Sequence, residues 1–287
     1  MEAGISDSFP YEGPYAHELR ILTDIVKDAG KIPLRYHGKD IDVERKEGDE
    51  PVTLADREAS EFLVDAVSKA FPGDVIISEE AEDDLRRLDA ERVWYIDPID
   101  GTKSFIAGGT GYCVMVGLAV HHRPVLGILY QPNLGTLLYA CKGGGSWVQR
   151  GDAAPERLQC SPLVDPSRAR LLSKNGGDRP AIRETFGFPE DEHLGSIGLK
   201  MAAMALGACE LYVNLATNCS SWDTCGPEIL LEEAGGRLTD MHGKPVRYDN
   251  AVTTSLQEGL VASNGPMHDI FIERLTAFVV NKPKADS

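Results

Sequence analysis

The sequence predicts an α/β fold, on three observations. Apolar residues recur at helical spacing in several separate stretches, β-rich runs lie between them, and the middle of the chain reads as consecutive strands joined by short links. Residues 14–32 (PYAHELRILTDIVKDAGKI) place Leu19, Leu22, Val26 and Ala29 on one helical face, with Pro33 leaving the end of that helix open. The charged stretch GKDIDVERKEGDEP that follows reads as a loop or a short exposed hairpin. A second helix carries Ala59, Phe62, Leu63, Ala66, Val67 and Ala70 on one face, with Thr53 as its N-cap and FPG as its stop. The short runs DVIIS and VWYI then end in acids, Glu79 and Glu80 after the first, Asp97 and Asp100 after the second. From Gly111 to Val148 the runs YCVMVGLAV, PVLGILY and TLLYAC predict an antiparallel meander, with His121 and His122 in one of its turns. Helical GSIGLKMAAMALGACE and strand-like ELYVN follow; WDTCGPEILLEEAGG opens another helix, capped by Gly235 and Gly236, and a last helix covers roughly 266–280.

A chain of 287 residues with 42% hydrophobic side chains can bury one large core or two tightly packed ones. The proline-rich, charged segment RGDAAPERLQCSPLVDP suggests a division into 1–160 and 161–287. A formal net charge of −16 argues against a nucleic-acid duplex or an anionic membrane as partner. The six cysteines show no zinc-like spacing and lie mostly in apolar runs, so buried free thiols are expected. The opening MEAGISDSFPYEG lacks the basic start and apolar core of a signal peptide, and no apolar run approaches a membrane span; a cytoplasmic monomer or homodimer is expected.

The acids carry the chemistry. Asp56 completes a T-x-x-D capping box with Thr53, and Glu79 and Glu80 taken alone read as solvated charges. Asp97 and Asp100 are harder to assign to solvent. Pro98 favours a turn that would aim both carboxylates, with the Ile99 carbonyl between them, at one point. Carboxylates so close repel unless a proton or cation separates them, and hard oxygen ligands with no adjacent His or Cys suit Mg²⁺. Gly101-Thr102 then permits close approach of an oxyanion to the backbone, so the segment can bind a phosphate ester despite the negative charge of the chain.

The motifs ISEE, DPIDGTKSF and WDTCGPEILLEEAGG, in this order, resemble those of the Mg²⁺-dependent, lithium-sensitive phosphatases that include inositol monophosphatase, fructose-1,6-bisphosphatase and 3′(2′),5′-bisphosphate nucleotidase, over about residues 17–265. The resemblance implies the layered α-β-α-β-α sandwich of the sugar phosphatases. It implies Glu79, Asp97, the Ile99 carbonyl, Asp100 and Asp223 as ligands of two or three Mg²⁺ ions, and Asp56 near a further metal and its waters. Glu79 and Thr102 would position the attacking water, and Trp222 would pack so as to aim Asp223. GSIGLK and WDTCGPE resemble the bisphosphate nucleotidases in particular, with Asp100, Gly101, Thr102, Gly195, Ser196, Lys200 and Asp223 as substrate contacts, although LLSKNGGD lacks the histidine several of those enzymes carry. The alternative for Lys200, on a helix face, is an ordinary solvated charge. The substrate expected is adenosine 3′,5′-bisphosphate, with an inositol or other small sugar phosphate as the alternative, and a catalytically silent metal-dependent binding protein as the alternative of another class. No P-loop, G-x-G-x-x-G, H-E-x-x-H or G-x-S-x-G motif points elsewhere.

Overall fold

Helical layers and sheets alternate through the protein, in a computed structural model that describes residues 11–45, 51–83, 85–173, 179–187, 194–215, 219–250, 255–256 and 258–281. Helix α1 (Ala16–Tyr36) runs through Pro33 for another turn, and the exposed strand β1 (Val43–Arg45) pairs antiparallel with the largely buried β2 (Pro51–Thr53). Residues 46–50 of the charged stretch, residues 174–178 of LLSKNGGD and the first ten residues lie outside the described residues. Helix α2 (Leu54–Ala70) buries Ala59, Leu63 and Val67; Phe62, on the expected apolar face, is exposed.

The first sheet has seven strands in chain order: β3 (Val75–Ser78), β4 (Arg92–Asp100), β5 (Cys113–Val120), β6 (Arg123–Gln131), β7 (Thr136–Cys141), β8 (Gly145–Arg150) and β9 (Glu156–Arg157). β3 and β4 are parallel; the rest form the expected meander. His121 and His122 both take positive φ in the tight turn from β5 to β6. The sheet is covered on both sides, so its strands read as nearly continuous apolar runs. Trp94, Ile96, Val114, Val116, Leu126, Ile128, Leu137 and Tyr139 pack against Leu19, Leu22, Val26, Leu63 and Val67 of α1 and α2. The alternate residues, among them Val93, Tyr95, Met115, Leu129 and Leu138, face the other way.

A short helix α3 (Thr102–Ile106) follows β4. The rest of the chain supplies β10 (Leu171–Ser173), α4 (Arg179–Phe186), α5 (Ile197–Ala205), β11 (Leu211–Asn214), β12 (Cys219–Ser220), α6 (Ser221–Glu233), β13 (Arg237–Thr239), β14 (Ser255–Leu256), β15 (Leu260–Ser263) and α7 (His268–Asn281). Strands β10, β11, β15 and β13 make a second sheet in that order. Helices α5 and α6 lie between the two sheets, where Ile197, Leu199, Met201, Ile229 and Leu230 join Tyr212, Leu260 and Ala262 in the same core as the inner face of the first sheet. Ile182 and Phe186 of α4 and Phe271 and Leu275 of α7 cover the outer face through Leu211, Val213 and Val261. The layers are helix, sheet, helix, sheet, helix, as the resemblance implies. All six cysteines are free and buried.

Helix α6 rests directly on backbone. A Cβ at Gly117 would lie 2.4 Å from Gly226 N, and one at Gly127 only 2.2 Å from Gly226 O. Farther along α6, the wholly buried Glu228 accepts from Arg123 Nη2 at 2.8 Å and from the Tyr248 hydroxyl at 2.7 Å. Burial pushes its carboxyl up to about 8, against the pull of Arg123. Arg123 also donates to the Val246 carbonyl at 3.0 Å, so this cluster ties helix, sheet and the segment after β13 together.

Because helix and sheet have no side-chain layer between them at this point, Gly127→Ala must push them apart. A loss of at least about 1–3 kcal/mol is expected, as for overpacked cores. Denaturant unfolding measures it, and an unchanged midpoint would show that α6 can lift off the sheet freely.

Candidate active site

Strand β4 does not stop after Ile96, as the proline suggests, but continues to Asp100 through a bulge. Asp97 lies opposite Met115 and Asp100 opposite Cys113, so three steps on β4 match two on β5. Pro98 has no N–H to give the ladder, and the Ile99 amide donates to Asp97 Oδ1 at 3.0 Å instead. In an unbroken strand, residues three apart point to opposite faces; the extra residue brings Asp97 and Asp100 to the same one. The Ile99 side chain is buried beside Ala55, Phe105 and Tyr112, which leaves its carbonyl to Thr102, whose Oγ1 lies 3.1 Å away.

Two further acids sit in the first turns of helices. Asp56 Oδ2 accepts from Thr53 N at 2.8 Å and from Thr53 Oγ1 at 2.5 Å, while its Oδ1 lies 3.3 Å from Thr102 Oγ1. Asp223 Oδ2 accepts from Ser220 N at 2.6 Å. Both acids therefore occupy the third helical position of a capping box, and the field of a helix N-terminus favours their charge. Trp222 packs, partly buried, against the central core. Glu79 is half-buried just past β3, its amide donating to the Ile96 carbonyl at 3.1 Å. A buried contact of 2.8 Å between Ser60 and Ser78 hydroxyls ties α2 to the end of β3.

One carboxylate oxygen from each of Asp97, Asp100 and Asp223 lies within 4.8 Å of the others. Burial holds the Asp97 carboxyl well above the usual carboxylate range, and the charges of Glu79, Asp100, Asp223 and Asp56 push it the same way. Burial raises Asp56 as well, opposed by its bonds from Thr53. Such a cluster is under repulsion without a counter-charge. An all-oxygen anionic donor set fits a hard divalent cation, which Asp97, Asp100 and Asp223 would hold with Glu79 alongside.

Asp100 is also held from the far half of the chain. It accepts from the Ser196 hydroxyl, from Ile197 N at 3.2 Å and from Gly198 N at 2.6 Å. Burial raises its carboxyl, while these three donors and the positive charge of Lys200 pull it down. Lys200 is itself buried, its Nζ 5.5 Å from the centre of the Tyr212 ring, so it is no solvated charge. Gly195 is exposed and lies against Ser104 and Gly111. Gly101 takes φ 101°, and a Cβ there would meet Gly111 O at 2.5 Å. Two participants escape the sequence reading. Cys113 Sγ lies 3.9 Å from Asp100 Oδ2, which only the register shift reveals; Ser220 caps Asp223's helix, and the pattern S-S-W-D was there to be read.

Residues 16–279 match the inositol monophosphatase family. A 3′(2′),5′-bisphosphate nucleotidase CysQ of Aggregatibacter actinomycetemcomitans is 32% identical, the match covering 81% of this chain and 88% of that protein. A histidinol-phosphatase of Mycobacterium tuberculosis is 30% identical over 85% of this chain and 92% of its own. Among solved structures, an IMPase of Thermotoga maritima superposes with a TM-score of 0.78 at 27% identity, covering 92% of this chain and 98% of its own.

Repulsion at Asp97 makes a prediction with a definite sign. Its folded carboxyl titrates well above the reference value of 3.8, so the metal-free folded state binds the extra proton and loses stability as pH rises from the reference value through the raised one. A bound divalent cation removes that loss. Asp97→Asn keeps an acceptor for the Ile99 amide. It should raise the metal-free melting temperature at neutral pH, abolish the increase expected when Mg²⁺ is added to the wild type, and cut hydrolysis by at least about 10–100-fold. A lower metal-free melting temperature would show that the carboxylate is not repelled by its neighbours.

Proposed function

The chain belongs to the inositol monophosphatase family and is a phosphoric monoester hydrolase, and from that premise we propose that it is a Mg²⁺-dependent phosphatase of adenosine 3′,5′-bisphosphate, releasing AMP and phosphate. The observation that carries the substrate is Lys200. A lysine buried on α5, beside the acid cluster, gives a second, non-reacting phosphate a cation that the acids cannot offer, and burying such a phosphate unpaired would be costly. The CysQ relatives, named as bisphosphate nucleotidases, support the same substrate. The histidinol-phosphatase and IMPase matches favour the second reading, a small phosphate monoester with no second phosphate. Six free, buried cysteines support a reducing, cytoplasmic location.

Mg²⁺, two or three ions when bound, supplies Lewis acidity toward the phosphoryl group and a bound water of lowered pKa. The chain's own groups place the reactants. Thr102 has one hydroxyl proton and two acceptors for it, the Ile99 carbonyl and Asp56, so its oxygen is left to accept from the attacking water. To Glu79, half-buried near Asp97, we assign the uptake of the proton that water loses. Asp56 holds the Thr102 hydroxyl in direction, and its own bonds from Thr53 hold Asp56. Gly101 lets the backbone before Thr102 lie close to Gly111, and the substrate would enter between this segment and α5, where residues 1–160 meet 161–287.

Phosphate release from a panel of nucleoside bisphosphates, inositol phosphates, histidinol phosphate and fructose 1,6-bisphosphate with Mg²⁺ tests the substrate class. Lys200→Ala should raise KM for adenosine 3′,5′-bisphosphate with a smaller effect on kcat, and change turnover of an inositol monophosphate little. Equal losses on both would make Lys200 structural, and a wild-type preference for the single-phosphate substrates would favour the second reading. Activity at limiting Mg²⁺ is expected to fall with millimolar-range Li⁺; indifference to Li⁺ would count against the metal assignment.

A further inference from the structure

We propose that the start of α5 is the positioning device for Asp100, with Ser196 its central residue, and is not a cradle for the substrate's second phosphate. The inference rests on the metal-dependent reading above and deepens it. The first three amides of this helix and the hydroxyl of its cap already have acceptors. Ile197 N donates to Asp100 Oδ1 at 3.2 Å, Gly198 N to Asp100 Oδ2 at 2.6 Å, and Leu199 N to Ser196 Oγ at 3.0 Å. The Ser196 hydroxyl gives its own proton to Asp100 Oδ2. Ser196 is wholly buried, so no substrate group reaches that hydroxyl unless Asp100 first lets go of it.

The packing enforces the contact. A Cβ at Gly198 would lie 2.2 Å from Met115 Sδ and 3.0 Å from Asp100 Oδ2, so the amide reaches the carboxylate because residue 198 has no side chain. Cys113 Sγ, 3.6 Å from Ser196 Oγ and 3.9 Å from Asp100 Oδ2, closes the other side with a neutral group. Asp100 belongs to β4 and its holders to α5, nearly a hundred residues on, so the second half of the chain sets the direction of an acid donated by the first. Both oxygens are thus tethered, and the Asp100 carboxylate is held in one orientation within 4.8 Å of oxygens of Asp97 and Asp223.

Titration calorimetry of Mg²⁺ into the metal-free protein tests this without an activity assay. Ser196→Ala removes both the hydroxyl donor and the helix cap. Ser196→Gly removes the donor but keeps most of the cap, since glycine is itself a good residue at that position. Ser196→Thr keeps the hydroxyl. The Ala and Gly variants are expected to bind Mg²⁺ about 10–100-fold more weakly, the range typical of groups that orient a metal ligand, and the Thr variant close to the wild type. Melting temperatures in chelator, recorded in parallel, report what each substitution costs the metal-free fold. Wild-type Mg²⁺ affinity in both the Ala and Gly variants would overturn the proposal, and a raised KM for the bisphosphate at unchanged Mg²⁺ affinity would return the helix start to the substrate. If the wild-type protein itself takes up no Mg²⁺, the metal-dependent reading fails first, and the proposal with it.

Discussion

Like charges held together in a buried place are the constraint on which this fold depends. Two unit charges 4 Å apart repel by about 4 kcal/mol at an effective dielectric of about 20, and here Asp97, Asp100 and Asp223 come within 4.8 Å of one another with Glu79 and Asp56 nearby. No single flexible segment could hold them. The five acids instead come from four separately anchored elements: the bulge of β4, which gives two, the end of β3 and the first turns of α2 and α6. Three helix starts converge on the cluster, α2 at Asp56, α6 at Asp223 and α5 at Asp100, and each offers amide hydrogens to a carboxylate. The partial positive charge of a helix N-terminus is worth roughly 0.3–1 kcal/mol to a nearby anion. Three of them make the repulsion tolerable until a cation arrives.

Much of this was legible because it depends on local pattern. The apolar faces of α1 and α2, the meander from β5 to β8 and the acids themselves are written in spacing of 3.6 or 2 and in residue types that allow few other uses. What was not legible depends on contact between distant segments. Nothing in DPID says that the strand runs on past the proline; the bulge exists because β5 is there to pair with Asp100. Nothing in GSIGLK says that its amides turn toward Asp100 in preference to a ligand. Phe62 fell on the expected helical face yet stays exposed, because which part of an apolar arc is covered depends on the neighbour it meets. Lys200 is the opposite case, a charge that spacing would leave in water and that packing against Tyr212 places inside.

On the proposed reading the work is divided: the acids take the phosphate that all phosphate monoesters share, and Lys200 on α5 takes the far end of the substrate. A change at Lys200 then leaves the reacting end undisturbed, provided Ser196 and Gly198 keep their hold on Asp100.

The seating of α6 on bare backbone sets a limit of another kind. A helix cushioned by side chains can glide when those side chains change rotamer; one whose Gly226 touches Gly117 and Gly127 has nothing that yields. It is a fixed hinge pin against which the rest of the layer is measured. Asp223, three residues before that contact, inherits its immobility. Since the start of α5 likewise grips Asp100, the motion that admits the substrate and releases phosphate is left to the loops, not to the helices that carry the acids.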